Sequence, residues 1–382
     1  MVWLARENRR QIMTLLDHLN PAIAALRPYE PGRPIESVAR EYGLDPDAII
    51  KLASNESALG PSPAALRALE EAIYEVHFYP DGGGWDLRHA IAEKHGVGFE
   101  SVILGNGSNE ILELLGHAFL GAESSAVFSA HAFIVYKLVT QLFGSEGIEV
   151  PMATGLVHDL DAMLAAIRPD TRVVFVCNPN NPTGTAVAPD ALQRFCKAVP
   201  EDVLIVLDEA YAEIALTALP PSISWLSEQP NILICRTFSK AYGLAGLRIG
   251  YGIGHPDVCA SLNRARQPFN ANRLAQIAAL AALGDDTFVS QCRELYAREK
   301  AYLEEGLVAL GLPFIESFAN FLLVEVGDGA EIANTLREAE VIVRPVAPYQ
   351  LPKYIRVTYG NRSENRKFLT ALATVLGREA AL

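Results

Sequence analysis

The chain has 382 residues, 50% of them hydrophobic and 20% charged, with a formal net charge of −13. That length exceeds the usual reach of one hydrophobic core, so a large and a smaller domain are expected in a compact globular protein. The acidic balance excludes the basic face with which nucleic-acid binders displace counterions from phosphates.

The opening segment, MVWLARENRRQIMTLLDHLN, is too polar for a signal peptide or membrane anchor. Its Ile12, Leu15, Leu16 and Leu19 recur at helical spacing and predict a short amphipathic helix packed on the body or on a partner. The Pro/Gly-rich stretch from Pro21 to Pro34 is expected to run extended over a surface. From about residue 59 the pattern alternates helices with short apolar runs. SAVFSA (125–130), VVFVCNP (173–179), VLIVLDEA (203–210) and NILICRTFS (231–239) read as buried strands, with helices such as Pro189–Ala198 between them. Strands that are apolar throughout and separated by helices form a mostly parallel sheet covered on both faces. Ligands of such sheets bind beyond the carboxyl ends of the strands.

From about Thr287 a long helix leads into a second block: strand FLLVEV, helix GAEIANTLREAE, strands VIVRPV and YIRVTYG, and helix ENRKFLTALATVLGREA. The expected division is 1–58 (N-terminal helix and arm, packing with the small domain and a partner subunit), 59–286 (large domain) and 287–382 (small α+β domain). No apolar run reaches the roughly 18 residues of a membrane span. Five cysteines, widely spread and without C-x-x-C spacing, give neither a disulfide framework nor a zinc site, and suit a reducing cytoplasm.

The polar residues at the strand ends carry the chemistry. RTFSKAYGLAGLRIGYG places Lys240 after a strand, between the hydroxyls of Thr237 and Ser239, with Arg248 eight residues on. NPNNPTG places Asn181 after the VVFVC strand, and DEAY places Asp208 and Tyr211 after VLIVL. Each alone has a structural explanation: a solvated lysine, a turn asparagine or a capping aspartate. Together they match what pyridoxal phosphate requires. An amine forms the Schiff base, and a carboxylate keeps the pyridine nitrogen protonated so that the ring acts as an electron sink. GNGSNEILELL supplies a helix start whose Gly107, Ser108 and Asn109 can offer backbone N–H groups to a phosphate. No dinucleotide fingerprint, P-loop, G-x-S-x-G elbow or metal-ligand histidine spacing is present.

These segments, with RPYEPGRPIE, KLASNESALGPSP, YPDGGGWDLR, RQPFNAN and ANFLLV, resemble the fold-type I aminotransferases and, within them, the histidinol-phosphate aminotransferase family. The resemblance runs from Arg27 to the C-terminal helix. It implies an α/β fold in which a large domain, built on a mostly parallel seven-stranded sheet between helices, joins a smaller α+β C-terminal domain. Lys240 would carry pyridoxal phosphate and shuttle the substrate's proton. Asp208 would pair with the pyridine nitrogen, Asn181 and Tyr211 with the phenolic oxygen, and Phe133 would stack on the ring. Gly107, Ser108, Asn109, Thr237, Ser239 and Arg248 would hold the phosphate, joined by Tyr79 across a homodimer interface. Tyr29, Asn55, Arg344 and Arg356 would face the substrate. The family's reaction exchanges an amino group between histidinol phosphate and 2-oxoglutarate.

Departures from the family pattern gather on the substrate side: His131 and Ala132 before Phe133, Pro348 and Gln350 in APYQLP, and Tyr359-Gly360-Asn361. An aromatic-amino-acid aminotransferase and a threonine-phosphate decarboxylase, which share the cofactor set, therefore stay open at this point. A cofactor-binding regulator does not, because the short N-terminal segment has no room for a DNA-binding helix-turn-helix.

Overall fold

The computed structural model describes residues 15–26, 28 and 31–378. The first departure from the sequence pattern is in the arm. Pro21–Ala25 forms a short helix instead of running extended. Proline is tolerated at a first helical position, and the Asn20 side chain accepts from the Ala22 N–H as a cap. Leu15, Leu16 and Leu19 are exposed, and Ile12 lies outside the described residues. After the helix Ile35–Tyr42 comes the first strand, β1 (Ile50–Lys51).

Seven strands follow: β2 (Val102–Gly105), β3 (Ser125–Ser129), β4 (Glu146–Val150), β5 (Thr171–Cys177), β6 (Leu204–Asp208), β7 (Ile232–Thr237) and β8 (Gly250–Gly254). They make one sheet in the order β2-β8-β7-β6-β5-β3-β4. Only β8 runs antiparallel to its neighbours, β2 and β7; the other pairings are parallel. Successive side chains of a strand point to opposite faces. In β5, Val173 and Phe175 accordingly enter one hydrophobic layer with Ile111, Leu112 and Leu115 of the helix Ser108–Phe119. Val174 and Val176 enter the other, with Leu192 and Phe195 of the helix Pro189–Ala198. Each such fully buried side chain contributes about 1.5–3 kcal/mol relative to exposure. The two-sided burial forces the carboxyl ends of β5, β6 and β7 to emerge along one line.

The second block starts with the helix Asp286–Ala309 and continues with β9 (Phe314–Ile315), β10 (Phe321–Glu325), the helix Gly329–Glu338, β11 (Val341–Ile342), β12 (Arg344–Pro345), β13 (Tyr354–Thr358) and the helix Arg362–Val375. Its antiparallel sheet has the order β12-β13-β10-β9, while β11 pairs in parallel with β1. VIVRPV is thus two short strands with different partners. Proline has no N–H to extend a ladder, and the chain changes sheets at Val343 ahead of Pro345. The closing helix is fixed by a capping box between Asn361 and Glu364, and buried Glu299 accepts from Arg362 and Asn365.

Candidate active site

A cavity of about 620 Å³ opens where β5, β6 and β7 end. Asn181, Asp208, Tyr211 and Lys240 all line it, as do Phe133, Ser108, Asn109, Thr237, Ser239 and Arg248. Asp208 is the last residue of β6, and its position in the parallel ladder, opposite Cys177 and Cys235, buries it. One carboxylate oxygen accepts from the Tyr136 hydroxyl at 2.7 Å and the other from the Ala210 N–H at 3.2 Å. Burial pushes the carboxyl up to about 6, and the Tyr136 bond opposes that rise. The neighbouring Glu209 faces away and accepts from Arg236 Nε and Nη2 at 3.1 and 2.7 Å, tying the end of β6 to β7.

Lys240 donates to the Ser54 carbonyl at 3.0 Å, with its amine 5.9 Å from the centre of the Tyr211 ring. The residue is half-buried, but its amine is desolvated. That desolvation first, and Arg356 next, lower it to about 7. An amine with that value is substantially neutral at neutral pH, the state needed to attack a carbonyl. The turn after it packs against the segment 57–61. A side chain at Gly243 (φ +69°) would meet the Gly60 carbonyl oxygen at 2.1 Å.

The helix start at Ser108 presents N–H groups that have no intrahelical acceptor. Gly107 precedes it at φ +77°, and a Cβ there would strike Arg248 Nη2 at 2.3 Å. Arg248 itself holds a left-handed backbone (φ 58°) and donates to Ser239 Oγ at 3.4 Å. Thr237 Oγ1 lies 3.0 Å from Ser239 Oγ. Hydroxyls, a guanidinium and a helix N-terminus around one space fit a phosphate dianion. With the amine of Lys240 and the carboxylate of Asp208 at the same cavity, the set fits pyridoxal phosphate.

Of the residues expected to face a substrate, Arg356 is 6% exposed, donating through Nη1 to Asn181 Oδ1 at 2.5 Å and through Nη2 to the Ala53 carbonyl at 2.8 Å. Its Nε is buried without a partner. Asn55 donates through Nδ2 to the Tyr211 hydroxyl at 2.9 Å. Arg344 is half-buried and lies opposite Arg356 in the β12–β13 register, outside the cavity lining. Tyr79 is also outside it. That residue is 78% exposed, its ring stacked on Phe269 at 4.8 Å. Tyr29 lies outside the described residues.

Residue patterning missed Tyr136. It is fully buried, stacked on Phe175 at 4.6 Å and edge-on to Phe133 at 5.7 Å, and so links the stacking aromatic to Asp208. A tyrosine inside the apolar FIVYKLV run was the available signal. Ser54, Glu56 and the apolar Val135, Leu138 and Leu142 complete much of the wall.

The sequence and the fold both match known proteins. Residues 47–372 match the family model for aminotransferase class I and II. Histidinol-phosphate aminotransferase 2 of Nitrosospira multiformis is 50% identical over 366 residues, covering 95% of this chain and 93% of the relative. The Pseudomonas aeruginosa protein of the same name is 50% identical over 361 residues, 94% of this chain and 98% of that one. Among solved structures, histidinol-phosphate aminotransferase from Sinorhizobium meliloti, in complex with pyridoxal-5'-phosphate, superposes with a TM-score of 0.86 at 30% identity, covering 94% of this chain and 98% of that one. The chain belongs to the class I and II aminotransferases and, within them, to the histidinol-phosphate aminotransferase family.

Proposed function

We propose that this protein uses pyridoxal phosphate to exchange an amino group between histidinol phosphate with its keto partner, imidazole-acetol phosphate, and L-glutamate with 2-oxoglutarate. The observation that carries the proposal is the pairing, in one cavity, of a desolvated lysine amine near pH 7 with a buried aspartate. When bound, pyridoxal phosphate supplies the carbonyl that takes the amino group and the electron sink for the substrate α-carbon. Lys240 Nζ would hold the cofactor and, when free, would carry the proton between the substrate α-carbon and the cofactor. Asp208 would keep the pyridine nitrogen protonated, and Tyr136 holds Asp208.

Asn181 and Tyr211 would donate to the cofactor's phenolic oxygen, and Phe133 would cover its ring. Gly107, Ser108, Asn109, Thr237, Ser239 and Arg248 bind the phosphate. Arg356, with an unpaired buried Nε, receives the anionic end of each substrate; Asn55, Arg344 and Tyr29 complete that side. Residues 59–286 act as the cofactor domain, and 287–382 with 1–58 as the substrate-side domain.

The working unit is a homodimer in which Tyr79 reaches the other subunit's phosphate site. Exposed Tyr74, Val76, Phe78, Tyr79, Trp85 and Phe269 support that reading, because a monomer gains nothing by wetting so much apolar surface. The five cysteines, free and buried, support a cytoplasmic enzyme. No described helix is long and apolar enough to cross a membrane.

The test is kcat/KM with histidinol phosphate and with phenylalanine as donors to 2-oxoglutarate, alongside sedimentation of the protein. The expected result is a dimer with a clear preference for histidinol phosphate. Preference for phenylalanine would discard the substrate assignment, and a monomer of full activity would discard the role of Tyr79.

A further inference from the structure

The hydroxyl of Thr358, in the small antiparallel sheet, touches neither cofactor nor substrate residues except through Asn55. Its Oγ1 accepts from the Asn55 backbone N–H at 2.9 Å and lies 3.2 Å from Asn55 Oδ1. While one lone pair takes the N–H, the hydroxyl donates its proton to Asn55 Oδ1. That fixes which way the Asn55 amide faces: oxygen toward Thr358, nitrogen toward Tyr211. Asn55 Nδ2 then donates to the Tyr211 hydroxyl at 2.9 Å, so the hydroxyl oxygen is an acceptor there and keeps its own proton for the cavity.

The segment around Asn55 is held to this arrangement. Asn55 sits at φ 54°, a backbone region that non-glycine residues avoid. Asn320 Nδ2 donates to the Asn55 carbonyl at 3.3 Å, and the Thr358 N–H donates to the Leu52 carbonyl at 2.8 Å. Asn55, Thr358 and Tyr211 are all at most 3% exposed, which shields these bonds from bulk solvent.

We propose that Thr358 is a positioning residue that, through Asn55, makes Tyr211 a hydrogen-bond donor into the cofactor cavity. Without the Thr358 hydroxyl the Asn55 amide is free to turn over. Its oxygen then takes the Tyr211 proton, and the donation into the cavity is lost. The inference rests on pyridoxal phosphate occupying this cavity with its phenolic oxygen toward Tyr211. A hydroxyl donating to that oxygen draws electron density from it, and the bound group then gives up its titrating proton at lower pH.

The test is a pH titration of the visible absorbance band of the cofactor-loaded protein, with no substrate present. Thr358→Val, equal in shape, raises the midpoint by about one pH unit, the size expected for a lost hydrogen bond to a charged group. Thr358→Ser restores the parent midpoint. If the valine variant does not fold, Thr358→Ala carries the same expectation. In a Tyr211→Phe background, which has no phenolic proton to redirect, Thr358→Val leaves the midpoint where Tyr211→Phe sets it. A midpoint indifferent to Thr358 in the parent, or an equal shift in the Tyr211→Phe background, overturns the relay and leaves the cofactor assignment standing. A parent protein with no visible band after incubation with pyridoxal phosphate overturns both.

Discussion

The strand ends of the large sheet and the β13 strand of the small sheet meet at the same cavity but hold their functional groups in different ways. At the large sheet, the ladder places the carboxylate, and contacts within the large domain secure it. Asp208 is fixed by Tyr136 and the Ala210 N–H, and the β6–β7 join by Glu209 and Arg236. At the small sheet, the groups are secured by what they grip elsewhere. Arg356 holds Asn181 and the Ala53 carbonyl, and Thr358 holds Asn55, which lies more than three hundred residues earlier in the chain. On the proposed roles, the difference teaches that the cofactor's carboxylate partner is built into one sheet, whereas substrate recognition depends on the two parts meeting correctly. Damage to the first should abolish chemistry, and damage to the second should redistribute it between KM and kcat.

The largest effect belongs to Lys240. Lys240→Ala is expected to lower kcat by at least about 10^4-fold, because among the described residues no other amine lines the cavity to replace it. Stopped-flow single turnovers would measure the loss. Asp208→Asn, with shape kept and charge removed, is expected to lower kcat by about 100- to 1,000-fold while the protein still folds. Arg356→Lys sharpens the comparison. Losing the planar fork should raise KM for both substrates, lowering kcat/KM by about 10- to 100-fold, with kcat changed far less. A kcat loss equal to that of Asp208→Asn would show the two regions to be one functional unit.

Smaller effects are read in pH. Burial pushes the Asp208 carboxyl up to about 6, and in the proposed role it must be ionised to hold a pyridinium. Cofactor affinity therefore weakens as pH falls through that value. Tyr136→Phe removes the bond that lowers it and should move this acid limb up by about one pH unit in an equilibrium titration.

Lys240 supplies the opposite signature. Its folded value, about 7, lies below its unfolded 10.5, so the folded state disfavours the charged amine. The stability withheld at neutral pH is recovered as pH rises from about 7 toward 10.5. Cofactor-free Lys240→Met should exceed the parent in urea stability at about pH 7, with the gap narrowing by about pH 10. A gap that stays constant would show that the amine is not desolvated.

The sequence made the large sheet's end legible because its chemistry sits in contiguous segments. NPNNPTG, DEAY and RTFSK each follow an apolar run, and parallel topology alone brings their ends together. Two other strands of the same sheet were not legible. β8 is GYGIG, poor in strand formers, and is buried because its glycines let neighbours close in. A Cβ on Gly252 would meet Ile103 at 3.0 Å. β4 is EGIEV, a half-exposed edge with no apolar run. The helix at Pro21–Ala25 was hidden because proline forbids helix continuation but not helix initiation. At the site, the contacts of Thr358 and Asn320 had no local signal. Their partners come from the segment 52–56, and a contact across that separation leaves no periodicity to read.

The central claim is that Lys240 is the residue that binds pyridoxal phosphate covalently. Borohydride reduction of the protein after incubation with pyridoxal phosphate, followed by proteolysis and mass spectrometry, tests it most directly. The account predicts a single stoichiometric adduct on the peptide containing Lys240, absent when L-glutamate is added before reduction. An adduct on another lysine, or none, would contradict it.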